Sequence, residues 1–294
     1  MHFNGPIVRP QTDAYSLFVE VTVGCSHNSC KFCNFYHGYP FRMAPLSQIE
    51  EDLAEASKIY KNVRNIWANG GNPYCLSTDK LAAIGKLFQK YFPKARISTY
   101  ARIDDLCRKS VEDMAYLKSL GWVDLVVGME CGDDDALAYM NKGYTSKDIV
   151  EGCQKLEKAG VDYRIIFLGG LAGAGHAEES GLKTANVMNQ LHPYLMYLNT
   201  VSVLPDTPLY TDRAEGRFVE QGERERVTEI LTMLKHMKNP IKIFAAPNTT
   251  RYSFFVDMEK QRDELLEFLQ RDLDSITDEE EERMRKHRLS QSGV

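Results

Sequence analysis

The chain has 294 residues, of which 43% are hydrophobic and 26% charged, with a formal net charge of −5. That length suits one large domain or two small ones, the apolar content excludes a disordered chain, and the acidic balance gives no basic footprint for nucleic acid. The opening run MHFNGPIVRPQTDAYS lacks the apolar core of a secretory signal, and no apolar run approaches the roughly 20 residues that span a bilayer. A cytoplasmic chain without a membrane segment is expected. Seven cysteines occupy positions 25, 30, 33, 75, 107, 131 and 153. One tight cluster within an odd count points to a metal site in a reducing compartment, not to a disulfide framework.

In chain order, Ser16–Gly24 (SLFVEVTVG) is predicted as a strand from its β-branched and aromatic residues. After a long loop, Ser47-Gln48-Ile49-Glu50 reads as a capping box that opens a helix reaching Tyr60. Val63–Ala68 is the second strand, closed by the turn-forming string Asn69–Pro73. A helix over 77–91, a strand over 95–101 and a helix over 110–120 follow, the last stopped by Gly121. Trp122–Met129 is the fourth strand, and a helix over 146–159 stops at Gly160. Val161–Leu168 is the fifth strand, 176–190 a helix and Tyr194–Leu204 the sixth strand. Ile241–Ala245 suits a further strand and Asp257–Ile276 a helix, before a charged tail that reads as a solvated helix.

Apolar strands alternating with amphipathic helices imply a parallel sheet covered by helices. The prediction is an α/β fold: a partial (β/α)6 TIM-like barrel of parallel strands over 1–245, with a C-terminal helical extension and charged tail over 246–294.

Cys25, Cys30 and Cys33 spell C-x4-C-x2-C at the end of the first strand. Thiolates suit iron–sulfur clusters and zinc. Three ligands on a four-iron cube leave one iron open, much as a catalytic zinc keeps an open position. Two other readings use the same thiols. One is a zinc-stapled binding module with His27 or His37 as the fourth ligand. The other is a non-catalytic iron–sulfur electron carrier of the plant ferredoxin type, with Cys75 or Cys107 as the distant fourth ligand. Ligands of parallel α/β proteins bind at the C-terminal ends of the strands. The cysteine loop, Gly70–Pro73, Arg102, Glu130, Gly169-Gly170 and Leu204-Pro205 are all predicted at that end. Neither rival needs a barrel.

The run VTVGCSHNSCKFCNFY resembles the radical S-adenosylmethionine (SAM) superfamily, in the branch that holds the Elongator catalytic subunit and the oxygen-independent coproporphyrinogen oxidase HemN. The usual spacing there is C-x3-C-x2-C, so this chain carries one extra residue in the first gap. Gly70-Gly71-Asn72 stands in place of the family's GGE motif, with Asn72 for the glutamate. Phe32 occupies the aromatic position before the third cysteine, and Gly128–Gly132 resembles the GxESG end of the fourth strand. Arg164 resembles the basic residue that meets the SAM carboxylate, Ile165–Gly169 the segment beside adenine, and Leu204–Leu209 an LxPGTPL run. The resemblance implies a [4Fe–4S] cluster on Cys25, Cys30 and Cys33, and SAM on Phe32, Gly70, Gly71, Asn72, Glu130, Arg164 and Leu204. It further implies reductive cleavage of SAM to a 5′-deoxyadenosyl radical that abstracts hydrogen from a small-molecule substrate. A one-electron donor of flavodoxin or ferredoxin type would supply the electron. Cys75, Cys107, Cys131 and Cys153 read as small core residues, with Cys75 nearest the rim. Tyr100, Arg102, His176 and the loop 248–252 are candidates for substrate contact.

Overall fold

The computed structural model describes residues 1–247 and 250–290. The predicted first strand divides into β1 (Leu17–Glu20) and β2 (Thr22–Val23), and β2 makes a separate antiparallel pair with β3 (Arg42–Met43). Next come α1 (Leu46–Ile59), β4 (Asn65–Asn69), α2 (Thr78–Tyr91), β5 (Arg96–Arg102), α3 (Ile103–Cys107) and α4 (Val111–Ser119). The alternation continues with β6 (Trp122–Glu130), α5 (Asp134–Tyr139), α6 (Ser146–Ala159), β7 (Asp162–Gly169), α7 (Ala177–Met188) and β8 (Leu195–Thr200). The chain closes with α8 (Pro208–Ala214), α9 (Glu223–His236), β9 (Lys242–Ala245), β10 (Phe254–Asp257), α10 (Arg262–Ser275) and α11 (Asp278–Ser290).

One eight-stranded sheet runs in the order β1-β4-β5-β6-β7-β8-β9-β10. Strands β1, β4, β5 and β6 pair in parallel, as do β8 and β9, while β10 returns antiparallel on β9. This is the mixed α/β layout, with a mostly parallel central sheet, expected of a partial barrel. Strand β6 shows why the apolar runs foretold it: Leu125, Val126, Val127 and Met129 are all fully buried. A strand buried on successive residues is covered on both faces, as helices cover a parallel sheet.

The chain packs as two units. The first holds Met1–Asn28, Phe35–Gly128 and Glu151–Arg164, with Val19, Trp67, Ile84, Phe88 and Ile97 in its core. The second holds Ser29–Asn34, Met129–Val150 and the chain from Ile165 onward, with Phe167, Met196, Ile230, Leu234 and Ile243 in its core.

Several boundaries differ from the sequence reading. Helix α1 starts at Leu46 behind an extended Pro45, with no side-chain cap, so the box at Ser47 and Glu50 does not form. The proline pre-sets the backbone entering the helix. A box does form at α4, where Ser110 Oγ accepts from Asp113 N at 3.0 Å. Strand β8 ends at Thr200, short of the predicted Leu204. Helices α3, α5 and α8 were too short to show a helical period. Asn248 and Thr249 of the substrate-loop candidate lie outside the described residues, as do the last four positions of the tail. Among the described residues no helix is long and apolar enough to cross a membrane.

Candidate active site

The cysteine loop leaves the end of β2, and its first half is held by the turn after β4. Gly71 N donates to Gly24 O at 3.0 Å. A Cβ on Gly71 would lie 2.7 Å from both Cys25 Cβ and Gly24 O, so only glycine lets these two backbones meet. Asn72 is 1% exposed and its amide is fully engaged. Its Oδ1 accepts from Ser26 N at 3.0 Å, and its Nδ2 donates to Ser26 Oγ at 2.8 Å and to Asp105 Oδ2 at 2.9 Å. Asn72, expected as a SAM contact, thus braces the residue after the first cysteine with its side chain. Asp105 also accepts from Arg102 N at 3.0 Å and from Arg108 Nη2 at 2.6 Å. Burial pushes its carboxyl above the usual range, and these donors oppose that. Within the four-residue gap, Asn28 has φ 42° and donates through Nδ2 to Tyr36 O at 3.2 Å. An asparagine tolerates this left-handed turn better than most side chains, and the turn falls inside the lengthened spacing.

The second half, Ser29–Asn34, is gripped by residues of its own unit. Lys31 N donates to Met140 O at 3.1 Å, and Lys31 O accepts from Leu209 N at 2.9 Å. Asn141 Nδ2 donates to Ser29 O at 2.9 Å, and Asn34 Nδ2 to Pro205 O at 3.4 Å. The Lys31 ammonium lies 2.7 Å from Asp212 Oδ2 and 3.9 Å from the centre of the Tyr139 ring. Asp212 also receives Tyr139 Oη at 3.0 Å and Arg217 Nη2 at 2.6 Å. Hydrogen bonds from Lys31 and Arg217 hold its carboxyl down to about 2. Leu204, expected at the cofactor, is a packed residue whose carbonyl accepts from Thr207 Oγ1 at 2.6 Å. Its run acts on the loop through Pro205 and Leu209. Asp206 stands at φ 62° where the resembling run carries glycine.

Glu130 ends β6 at φ 69° and pairs with Lys142, Oε1 to Nζ 2.8 Å. The same ammonium lies 5.5 Å from the centre of the Phe32 ring. Arg164, expected to meet SAM, has acidic partners. It is the third residue of β7, near the start of the strand, and its guanidinium pairs with Asp13 and with Asp124 at 2.6 Å. Asp124 sits equally early in β6 and also accepts from Ser98 Oγ at 3.1 Å. Ligands of such folds collect at the opposite end of the strands, and Arg164 stands in an ion pair with Asp13 and Asp124. Arg102, a substrate candidate, is likewise paired with Asp104 at 2.9 Å. Tyr100 packs edge-on against Trp67, and His176 precedes α7 without capping it.

None of the seven cysteines is in a disulfide. Cys131 and Cys153 are fully buried core residues. Burial, with Asp105 adding to it, pushes the Cys75 thiol up to about 12. Cys107 Sγ packs on Gly152 of α6. Cys25, Cys30 and Cys33 are half-buried on one loop. Among the described residues no three His, Cys, Asp or Glu side chains converge on a single ion. A cube asks for something different, because each thiolate binds its own iron and the sulfurs stand farther apart than around one metal. Three soft, partly exposed donors on a braced loop fit a three-cysteine cluster. Sequence reasoning missed Lys31, Tyr139, Asp212 and Lys142, which sit in polar stretches that look like solvated surface.

No curated relative matches the chain. Among solved structures, HemN of Escherichia coli, a coproporphyrinogen III oxidase, is similar at TM-score 0.58 and 16% identity, covering 75% of this chain and 51% of that one. TsrM of Kitasatospora setae, a radical SAM methyltransferase, is similar at 0.57 and 15%, covering 68% and 39%. Methylornithine synthase PylB is similar at 0.53 and 14%, covering 76% and 64%. The chain thus spans less than two thirds of the length of each, and at such identities the likeness is one of fold. The radical SAM family model matches residues 19–180, which run from β1 through the cysteine loop and the β4 turn into α7. With more than half its length inside that match, this chain belongs to the radical SAM superfamily, whose cofactors are a [4Fe–4S] cluster and SAM.

Proposed function

We propose that this protein reductively cleaves SAM and abstracts hydrogen from a small-molecule substrate, with Cys25, Cys30 and Cys33 as the cluster ligands. Bound together, cluster and SAM supply one-electron cleavage of the sulfonium to a 5′-deoxyadenosyl radical. The chain's own residues orient and shield that chemistry. Gly71 lets the β4 turn reach Cys25, Gly70 lets it pass Thr22, Asn72 braces Ser26, and the Lys31–Asp212 pair fixes the segment bearing Cys30 and Cys33. Phe32 and Glu130 are the side chains assigned to SAM, on the strength of their motif positions and their shared neighbour Lys142. A flavodoxin- or ferredoxin-type donor fits the need for one electron. The net charge of −5 disfavours a nucleic-acid substrate.

The observation that carries this reading is the bracing of the loop: the residues flanking and separating the last two thiols each have a partner. Anaerobic reconstitution with iron and sulfide tests it. The wild type should turn brown and form 5′-deoxyadenosine from SAM after reduction by dithionite. Alanine at Cys25, Cys30 or Cys33 should abolish both. Serine at Cys75 or Cys107 should leave both unchanged, which a four-cysteine electron carrier would not. A colourless zinc protein would reject the assignment.

A further inference from the structure

We propose that Lys142 is a positioning residue of the SAM site, whose ammonium holds the Glu130 carboxylate where it meets the cofactor. The inference rests on the function proposed above and adds a residue that no motif names. Glu130 sits at φ 69°, a conformation unfavourable to a glutamate unless its surroundings impose it. The group that engages its carboxylate is Lys142, at 2.8 Å, with side-chain exposures of 8% for the acid and 5% for the base. Two charges at that burial lose much of their hydration, and an apolar pair of similar volume commonly packs as well or better. Stability alone therefore gives little reason for this pair, and its place gives another.

Lys142 follows the turn that ends α5, and this turn also holds the cysteine segment. Met140 O receives Lys31 N, and Asn141, at φ 56°, donates through its side chain to Ser29 O. Lys142 N then donates to Leu137 O at 3.0 Å, fixing where its side chain departs. The ammonium lies 5.5 Å from the centre of the Phe32 ring and 5.4 Å from that of Tyr144, within cation–π range of both. One turn thus ties the segment between two cluster cysteines to the carboxylate at the end of β6. A carboxylate aimed at a bound nucleotide needs a fixed counter-charge behind it, because a loose one would swing toward water.

The test uses the full chain, reconstituted anaerobically, with SAM as the probe. Iron content and the melting temperature of the apoprotein report structure. Equilibrium dialysis gives SAM affinity, and the EPR spectrum of the reduced cluster is taken with and without SAM. Lys142→Met is expected to keep its iron yet bind SAM about tenfold more weakly or worse, with a diminished SAM-induced EPR change. Lys142→Arg should recover most of both. Glu130→Gln should weaken SAM similarly, and the Glu130→Gln/Lys142→Met double variant no further, since both act through one contact. The double variant leaves no lone buried charge, so it remains measurable if Lys142→Met alone fails to fold. Wild-type SAM affinity in Lys142→Met, or losses that multiply in the double variant beyond Glu130→Gln alone, would overturn the proposal. A wild type that holds zinc, or no cluster, rejects the functional reading itself and this inference with it.

Discussion

At the residue scale, two neighbouring strands carry buried charge at different ends. Arg164 and Asp124 lie early in β7 and β6, whereas Glu130 closes β6. Replacing Arg164 with leucine strands the Asp13 and Asp124 carboxylates in the interior. It should cost about 3–5 kcal/mol of stability, seen in denaturant melts, while SAM affinity of the folded fraction stays at the wild-type value. Gly71→Ala should do the reverse. Its Cβ would meet Gly24 O and the Cα and Cβ of Cys25, none of them the far end of a flexible side chain, so overpacking of about 1–3 kcal/mol falls on the loop, and iron loading should drop before the fold does. The three cysteines stand out in the sequence because so dense a group is improbable by chance. The partners of Asn72 and Arg164 were not legible, because a motif position names a residue but not its neighbours. Asn72 spends its amide on Ser26 and Asp105, both far from it in sequence.

At the scale of elements, the segment 29–34 depends on α5, α8 and the chain between them. Asp212 on α8 is its electrostatic anchor, receiving Lys31, Tyr139 and Arg217. Asp212→Asn should weaken the hold by about 1–3 kcal/mol and show as faster loss of iron to a chelator, with a fall of a few degrees in melting temperature. The pH dependence has a definite sign. The folded carboxyl is held down to about 2 from an ordinary 3.8. The anchor is therefore complete above that ordinary value, and is lost as pH falls toward 2. Between neutrality and pH 5 the iron-release rate should not change through this residue. If release accelerates near pH 6 in the wild type and not in Asp212→Asn, the anchor has been misread. The long β/α alternation was legible because helices of a dozen residues show their period. Helices α5 and α8 are a turn or two long, too short for a period, so the elements that grip the loop were hidden where the cysteines were plain.

At the scale of the whole molecule, the C-terminal helix is attached unlike the rest. Helix α11 has no buried residue, whereas every strand of the main sheet buries several or abuts one that does. Its attachment is charge on charge within the second unit. Glu281 accepts from the first backbone N–H groups of α9, those of Glu223 and Arg224, and so supplies the cap that Gly222 lacks. Asp278 pairs with Arg224 at 2.8 Å, and Glu280 with Arg251 at 2.9 Å. Arg251 in turn reaches Asp272 of α10 at 3.1 Å. A carboxylate at a helix N-terminus meets both open donors and the positive end of the dipole. Such contacts are screened by salt, since the Debye length falls to about 3 Å at 1 M, whereas the apolar core is not. Raising salt should therefore expose α11 to protease while the remainder stays resistant. Deleting residues 277–294 should cost about 1–2 kcal/mol from the lost cap, a fall of roughly 2–8 °C in melting temperature for a chain of this size, with iron content and SAM cleavage kept. Glu281→Gln should reproduce part of that fall, because it retains an acceptor but loses the charge. If deletion instead removes the cluster, α11 contributes to the site and not only to the end of α9.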